Sequence, residues 1–390
     1  MRSPFLATFL VLVAFAAGAF ATGQQLLPDS LLDVVGINEE NATRSQLIDS
    51  IEDDFYKKVD DKKLEEASLK GIVDSLNDRF SHYFTPEETK VFEQSITDPE
   101  FEGIGVSVAE DKRGLRIVQV FDGSPAKKAG LTKEDVITEV AGKSIAGQSS
   151  DVSTAKIKGK PGTSVRLTVL AGGSKKKKRT VEVERASIEV PIVEAEMERR
   201  NGAKLGYVRL LSFTSGVHGE LREKIDELLD KGAEGVLLDL RGNGGGLLRE
   251  AVLVSSVFIE DGTIVTTKGR RRPKREFEAE GDAIDKDIPV VVLVDRGTAS
   301  ASEIVSGALR DSHRGTLAGE RTFGKGVFQE LEPLSNGGAL DLTVGSYYLP
   351  SGENISRTGI MPKVKARDRP RTRRDEALPI AIDTLVEKIE

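Results

Sequence analysis

The chain of 390 residues contains no cysteine, no tryptophan and only three histidines. The lack of cysteine excludes disulfides, thiolate metal ligands and a cysteine nucleophile. His82, His218 and His313 do not stand at metal-ligand spacings, and neither an H-E-x-x-H nor a G-x-S-x-G motif occurs. The sequence therefore predicts no metal and no organic cofactor.

The chain also lacks an excess of basic over acidic residues. The formal net charge is −7, which argues against nucleic-acid binding because that function depends on a basic surface. Hydrophobic residues make up 38% of the chain, enough for sizeable cores. At roughly 100–200 residues per domain, the length allows two or three domains.

Long apolar runs are rare, and the longest stands at the N-terminus. Residues from Pro4 to Ala21 follow Arg2 and carry no charge, and they end in an A-x-A-like site at Ala19-Phe20-Ala21. This pattern predicts a signal peptide over residues 1–21 and export to the periplasm or another extracytoplasmic space. The alternative is an uncleaved anchor that holds the protein at the membrane, since about 17 apolar residues approach the minimum bilayer span.

Three regions follow along the chain. Residues 22–96 have helical periodicity and no catalytic pattern, so we expect them to pack against the body or to form a homodimer. Residues 97–186 change to short strands typical of a β-rich domain. Residues 187–390 predict an α/β domain, in which strands 235–240 and 289–294 each lead through a small-residue turn into a helix. Turns at the carboxyl ends of such strands usually carry the functional site.

The second of these turns contains Ser300, which has two interpretations. Ser300 and Glu303 have the spacing of a capping box at a helix start, a purely structural role. Ser300 or the nearby Ser302 is alternatively a nucleophile, provided that a base lies close. The spacing alone does not decide between the two serines. His313 follows the helix that Ser300 begins, about 18 Å away at 1.5 Å per residue, so it is an unsuitable base.

Lys325 is the alternative base, because a lysine that is sufficiently desolvated loses its proton and can accept one from serine. Its apolar neighbours Phe323, Val327 and Phe328 favour such desolvation. The competing interpretation is a phosphate-binding loop over residues 319–325, but Gly326 replaces the Ser or Thr that the motif requires. Residues 327–331 also have the character of a strand rather than of the helix that follows a phosphate-binding loop.

Two further elements support a serine–lysine pair. Gln329 stands four residues after Lys325, so the two side chains meet only if the strand curls between them. Backbone amides of Gly245 or Gly246, together with the amide of Ala301 after the serine, are candidate donors to an oxyanion. The purely structural interpretation of the glycine run is a tight turn.

The three motifs together resemble those of the carboxyl-terminal processing peptidases, also called tail-specific proteases. The matching runs are LDLRGNGGG at 238–246, GTASASE at 297–303 and FGKGVFQ at 323–329. The resemblance implies a Clp protease/crotonase-like α/β catalytic core with an inserted PDZ domain and an N-terminal helical region. It also implies that Ser300 is the nucleophile, Lys325 the base and Gln329 its support.

The resemblance extends to the β-rich region, where Gly103-Ile104-Gly105-Val106 is similar to the carboxylate-binding loop of PDZ domains. It implies protein or peptide partners that have a free C-terminus, captured by the PDZ domain and cleaved nearby. Two hypotheses from other classes remain at this stage. One is a PDZ scaffold that binds peptides without cutting them, and the other is phosphate binding at residues 319–325.

Overall fold

The computed structural model describes residues 39–97, 100–174, 177–189, 192–368 and 374–389. The predicted signal peptide or anchor at residues 1–21 lies outside this part. The chain divides into two compact units, of which the second begins at Val73. Along the described ranges, we find no helix with the length and apolar character needed to cross a bilayer.

The helices of the described residues are α1 (Glu39–Asp54), α2 (Asp61–Asp74), α3 (Pro86–Thr97), α4 (Pro125–Lys128), α5 (Ser150–Ile157), α6 (Val217–Asp230), α7 (Leu248–Ser256), α8 (Ala301–Asp311) and α9 (Ala377–Ile389). The strands are β1 (His82–Phe84), β2 (Glu100–Gly103), β3 (Val106–Asp111), β4 (Gly114–Val120), β5 (Val136–Val140), β6 (Lys143–Ser144), β7 (Ser164–Leu170), β8 (Lys178–Glu184), β9 (Ala186–Glu189), β10 (Val193–Arg200), β11 (Ala203–Leu210), β12 (Val236–Asp239), β13 (Thr263–Lys268), β14 (Arg275–Glu278), β15 (Val290–Val294), β16 (Gly315–Gly319), β17 (Val327–Pro333), β18 (Ala339–Tyr348) and β19 (Val364–Lys365).

The helical character predicted for the N-terminal region is confirmed. Helix α1 and most of α2 belong to the first unit, and α3 belongs to the second. Thr85 caps α3: its Oγ1 accepts the Glu88 N–H at 3.2 Å, while its own N–H donates to Glu88 Oε2 at 3.0 Å. The reciprocal bonds satisfy two donors at the start of the helix.

Strands β3 to β8 form a six-stranded antiparallel sheet, which confirms the predicted β-rich region. Its core is made by alternating apolar residues that include Leu115, Ile117, Leu167 and Val183. Among the described strands β3 lies at the edge, paired only with β4. An edge strand exposes unpaired backbone N–H and C=O groups to which a further strand can bind.

A second six-stranded sheet has the order β10-β11-β12-β15-β16-β19 and is parallel from β11 onward. Its central strands are buried on both faces, which explains their continuous apolar sequences. Leu238 and Val292 pack in the core with helices α6, α7 and α8, whereas Leu237 and Leu293 pack against α9. The α/β prediction is therefore confirmed.

This sheet positions the functional turns. Strands β12 and β15 are parallel neighbours, with Asp239 opposite Leu293. Because both strands run in the same direction, the glycine turn after β12 and the serine turn after β15 meet at one edge.

Candidate active site

Ser300 lies at a sharp bend between β15 and α8. It is the N-cap residue of α8 and has φ 55° and ψ −117°, an unusual conformation for a residue with a Cβ atom. Such backbone strain costs about 1–3 kcal/mol and is concentrated at functional sites. The bend is held by Thr298, whose hydroxyl donates to the Leu240 carbonyl at 2.8 Å and accepts the Asp295 N–H at 2.9 Å.

The structure distinguishes the two serines. Ser302 is fully buried, and its hydroxyl donates to the carbonyl of Asn243 at 2.9 Å. Ser300 is partly exposed. Ser302 therefore supports the turn, and Ser300 is the serine accessible to a substrate.

Of the predicted capping box, the bond between the Ser300 backbone and the Glu303 side chain is present. The backbone N–H of Ser300 donates to Glu303 Oε2 at 3.0 Å. The capping interpretation and the nucleophile interpretation are thus compatible, because this bond uses the backbone of Ser300.

Lys325 lies in the loop between β16 and β17, which we call the lysine loop (residues 320–326). Tight packing requires the glycines on either side of Lys325. Gly324 has φ +90°, and a Cβ atom there would lie 2.8 Å from the Gly359 nitrogen. A Cβ atom at Gly326 would lie 2.5 Å from the Ser356 nitrogen. The loop is followed by strand β17 rather than by a helix, which confirms the argument against a phosphate-binding loop.

The side chain of Lys325 is half-buried, and its Nζ lies 5.1 Å from the centre of the Phe80 ring. Phe80 was not among the apolar neighbours expected from the sequence. It precedes β1, far from Lys325 along the chain, and no local pattern indicates this contact.

Glu303 joins the serine turn to the lysine loop. Its carboxylate is fully buried and accepts four hydrogen bonds. Oε1 binds the Thr322 hydroxyl at 2.5 Å and the Gly324 N–H at 2.7 Å. Oε2 binds the Lys325 N–H at 2.9 Å in addition to the Ser300 N–H. Burial raises the pKa of Glu303, and the four donors oppose this shift.

Two other contacts connect the same segments. The Phe323 N–H donates to the carbonyl of Thr298 at 3.0 Å. The Tyr347 hydroxyl donates to the carbonyl of Lys325 and lies 3.5 Å from that of Ser300. The backbones that carry the predicted nucleophile and base are therefore fixed relative to each other.

The glycine turn after β12 packs directly on the serine turn. Gly245 has φ +105°, and a Cβ atom there would lie 2.8 Å from Ser300 Cβ and 2.9 Å from the Ala301 nitrogen. Its N–H already donates to Asn243 Oδ1 at 2.9 Å. No hydrogen bond of the Gly246 N–H is found among the described residues. Ala301 begins α8, so its N–H is one of the donors that a helix leaves unpaired.

Asn243 is a buried residue whose role the sequence did not reveal. Its Nδ2 donates to the carbonyl of Leu210 at 2.8 Å, and its own carbonyl accepts the Ala299 N–H at 3.0 Å. Together with the Oδ1 bond to Gly245, these contacts fix the glycine turn against the serine turn.

We expect Asn243→Ala to lower kcat/KM about tenfold to a hundredfold, because the Gly245 N–H and the Leu210 carbonyl lose their partner. The free energy of unfolding should fall by about 1–3 kcal/mol, the cost of buried unpaired polar groups. Peptide cleavage assays and urea denaturation measure the two effects. Asn243→Asp retains the acceptor for Gly245 but sets a buried carboxylate oxygen against the Leu210 carbonyl, so it should not restore full activity. Equal activity of Asn243→Ala and the unmodified protein would contradict the role of Asn243.

Gln329 lies on β17, where the register with β18 shifts between Phe328 and Gln329. The extra residue at this irregularity is Val344 of β18, so the curl between Lys325 and Gln329 stays a prediction. The Gln329 Nε2 donates to Thr343 Oγ1 at 3.1 Å, which fixes the orientation of the amide.

The PDZ-like loop precedes the edge strand β3. Gly105 has φ +79°, and Val106 begins the strand. Ile104 is buried in the core of the sheet, and its carbonyl accepts the Ala126 N–H at 2.8 Å. Gly103 ends the preceding strand β2. The loop is thus anchored at its base, beside the edge of β3 that has no partner among the strands the structure describes.

Comparisons of the sequence and the fold with known proteins identify the family of this chain. The model of peptidase family S41 matches residues 204–366, and a PDZ domain model matches residues 103–184. The chain is 37% identical over 364 residues to the carboxy-terminal processing protease CtpA of Bacillus subtilis (strain 168), covering 93% of this chain and 76% of that relative. It is 34% identical over 337 residues to a probable CtpA-like serine protease of Staphylococcus aureus (strain COL), covering 85% and 66%.

A solved structure, that of a photosystem II D1 C-terminal processing protease, matches with a TM-score of 0.66 and 29% identity, covering 88% of this chain and 97% of that chain. The fold and these similarities define the protein as a serine-type peptidase with a PDZ domain. More specifically, the chain belongs to the carboxy-terminal processing proteases of peptidase family S41.

Proposed function

We propose that this protein is a serine endopeptidase that uses a Ser300–Lys325 dyad and captures protein C-terminal tails through its PDZ domain. The observation that supports the dyad most strongly is the buried Glu303 carboxylate, which binds the backbone N–H groups of both residues. A glutamate that only capped α8 would not also bind the Lys325 N–H.

In the proposed reaction, neutral Lys325 takes the proton of the Ser300 hydroxyl while Oγ attacks a peptide carbonyl. The N–H groups of Ala301 and Gly246 stabilise the oxyanion. Gly245 is the other candidate donor, but its N–H already donates to Asn243. We propose that Gly245 instead lets the serine turn pack closely, because it has no side chain. Lys325 then gives the proton to the leaving amine, and water releases the acyl group from Ser300.

Gln329 is proposed to support Lys325 through its side-chain oxygen. The bond from Nε2 to Thr343 leaves that oxygen as an acceptor for the amine. Lys325 lies in the lysine loop and β17 begins only at Val327, so the spacing of about 13 Å in a regular strand does not apply to this pair.

The PDZ domain is proposed to bind the substrate's terminal carboxylate with backbone amides of Gly103-Ile104-Gly105-Val106. The preceding substrate residues would add a strand to the exposed edge of β3. We propose residues 97–186 as this domain and residues 187–390 as the peptidase domain.

A peptide with a free apolar C-terminus tests capture and cleavage together. We expect it to be cut, and its C-terminally amidated counterpart to have a kcat/KM lower by about tenfold or more, since the amide lacks the captured charge. Mass spectrometry of the products measures both rates. Binding of the acid without cleavage would favour the non-catalytic PDZ scaffold, and equal cleavage of the two peptides would contradict tail capture.

The remaining parts of the proposal are export and dimerisation. Export to an extracytoplasmic space, with or without a retained membrane anchor, depends on residues 1–21.

The first unit exposes large apolar side chains, among them Leu47, Phe55 and Ile72, which is typical of an association surface. We expect sedimentation velocity to show a homodimer that Leu47→Ser with Ile72→Ser converts to a monomer. A monomeric unmodified protein at all concentrations would contradict dimerisation.

A further inference from the structure

A groove of about 690 Å³ lies beside the lysine loop and has a basic character. Four cationic side chains and two carboxylates line it: Arg296, Arg321, Lys365, Arg367, Glu110 and Glu320. This excess of positive charge is opposite in sign to the net charge of the whole chain, −7. A local field of this kind attracts anionic groups.

Two of the cations are available to a ligand. Glu320 is shared by Arg296 at 3.9 Å and Arg367 at 3.2 Å. Arg321 and Lys365 are exposed, and neither forms an ion pair with any residue that the structure describes. The groove therefore has two cationic groups that no carboxylate of the described chain neutralises.

Part of the groove wall belongs to the lysine loop, which carries the predicted catalytic base. Thr322 and Phe323 form part of its wall, and Phe323 precedes Lys325 by two residues. Two residues of extended chain span at most about 7 Å. A substrate side chain within a few residues of the scissile bond can therefore reach the groove.

The groove lining also includes a residue of the β-rich region. Glu110, near the end of β3, is part of the lining. In the proposed complex, the peptide carboxylate is held before Val106 and the peptide pairs with β3. Followed from its C-terminus toward its N-terminus, the peptide then runs toward the end of β3 and leaves the strand near Glu110. The groove then lies between the captured tail and the cleavage site.

We propose that this groove binds an acidic side chain of the substrate, located between the scissile bond and the captured tail, through Arg321 and Lys365. The inference rests on the proposed function and adds a determinant of sequence specificity to it. The Arg321 guanidinium can pair with a carboxylate in a bidentate manner, whereas Lys365 supplies a point charge. A neutral side chain at the same position gains neither interaction.

The test uses peptides with a free apolar C-terminus that carry one Glu or one Gln at each of the first four positions after the mapped scissile bond. At one or more positions we expect kcat/KM to be about fivefold higher for Glu than for Gln at low ionic strength, and the preference to shrink in high salt. Arg321→Gln combined with Lys365→Gln should reduce the ratio to about one. Arg321→Glu should favour a Lys-containing peptide.

The matched control is Arg271→Gln combined with Lys286→Gln, since these exposed cations do not line the groove. The control should retain the preference for Glu. Equal cleavage of Glu and Gln peptides at every position by the unmodified protein would overturn the inference and leave the proposed function intact. Failure to cleave any of the peptides would refute the proposed function and, with it, the inference.

Discussion

Ser300→Ala and Lys325→Ala should each lower kcat by about 10⁴-fold or more, while binding of a free C-terminal peptide remains unchanged. Removal of a nucleophile or of its general base has effects of this size in serine peptidases. The two losses should not add in the double variant, because both residues act in one step. Single-turnover cleavage and fluorescence anisotropy of a labelled peptide measure chemistry and binding separately.

Ser302→Ala is the matched control for the nucleophile. Its hydroxyl bonds to the Asn243 carbonyl, so we expect reduced stability and a much smaller loss of rate. Lys286→Ala, on the exposed surface, is the corresponding control for the lysine. Unchanged cleavage by Ser300→Ala or by Lys325→Ala would refute the assigned dyad.

Glu303→Gln should lower kcat by about 10²–10³-fold with little change in peptide binding. The carboxylate accepts two donors at each oxygen, whereas an amide offers only one accepting end. In one orientation of Gln, the N–H groups of Ser300 and Lys325 lose their acceptor; in the other, the Thr322 hydroxyl and the Gly324 N–H lose theirs. Either loss removes bonds that hold the lysine loop against the serine turn. Misplacement of reacting groups by about 1 Å can cost a hundredfold in rate.

The same substitution should lower the free energy of unfolding by about 1–3 kcal/mol, as measured by urea denaturation. Glu303→Asp retains the charge and should recover part of the rate if positioning is the cause. Glu223→Gln changes an exposed glutamate of α6 and serves as the control. A kcat within twofold of the unmodified value for Glu303→Gln would show that the carboxylate does not position the dyad.

Much of the fold follows from local pattern. The apolar strand at 235–240 and the small-residue turns after β12 and β15 are visible in the sequence because buried parallel strands and tight turns limit residue choice locally. The same is true of the capping pair Ser300 and Glu303, which the sequence spacing already indicated.

The contacts that complete the site depend on tertiary structure. Glu303 has the spacing of a capping residue, but its bonds to Gly324 and Lys325 cross between two distant segments. The contact of Phe80 with Lys325 likewise joins residues far apart in the chain. The sequence also left Gly245 and Gly246 equivalent as oxyanion donors. Only the bond from Gly245 to Asn243 distinguishes them.

The acyl-enzyme is the species that tests the central claim most directly. Turnover of a peptide ester, quenched in acid and followed by proteolytic mapping with mass spectrometry, locates the acyl group. We predict a single adduct on Ser300, absent from Ser300→Ala and still formed by Ser302→Ala. An adduct on Ser302, or rapid cleavage with no acylated serine during turnover, would contradict the account.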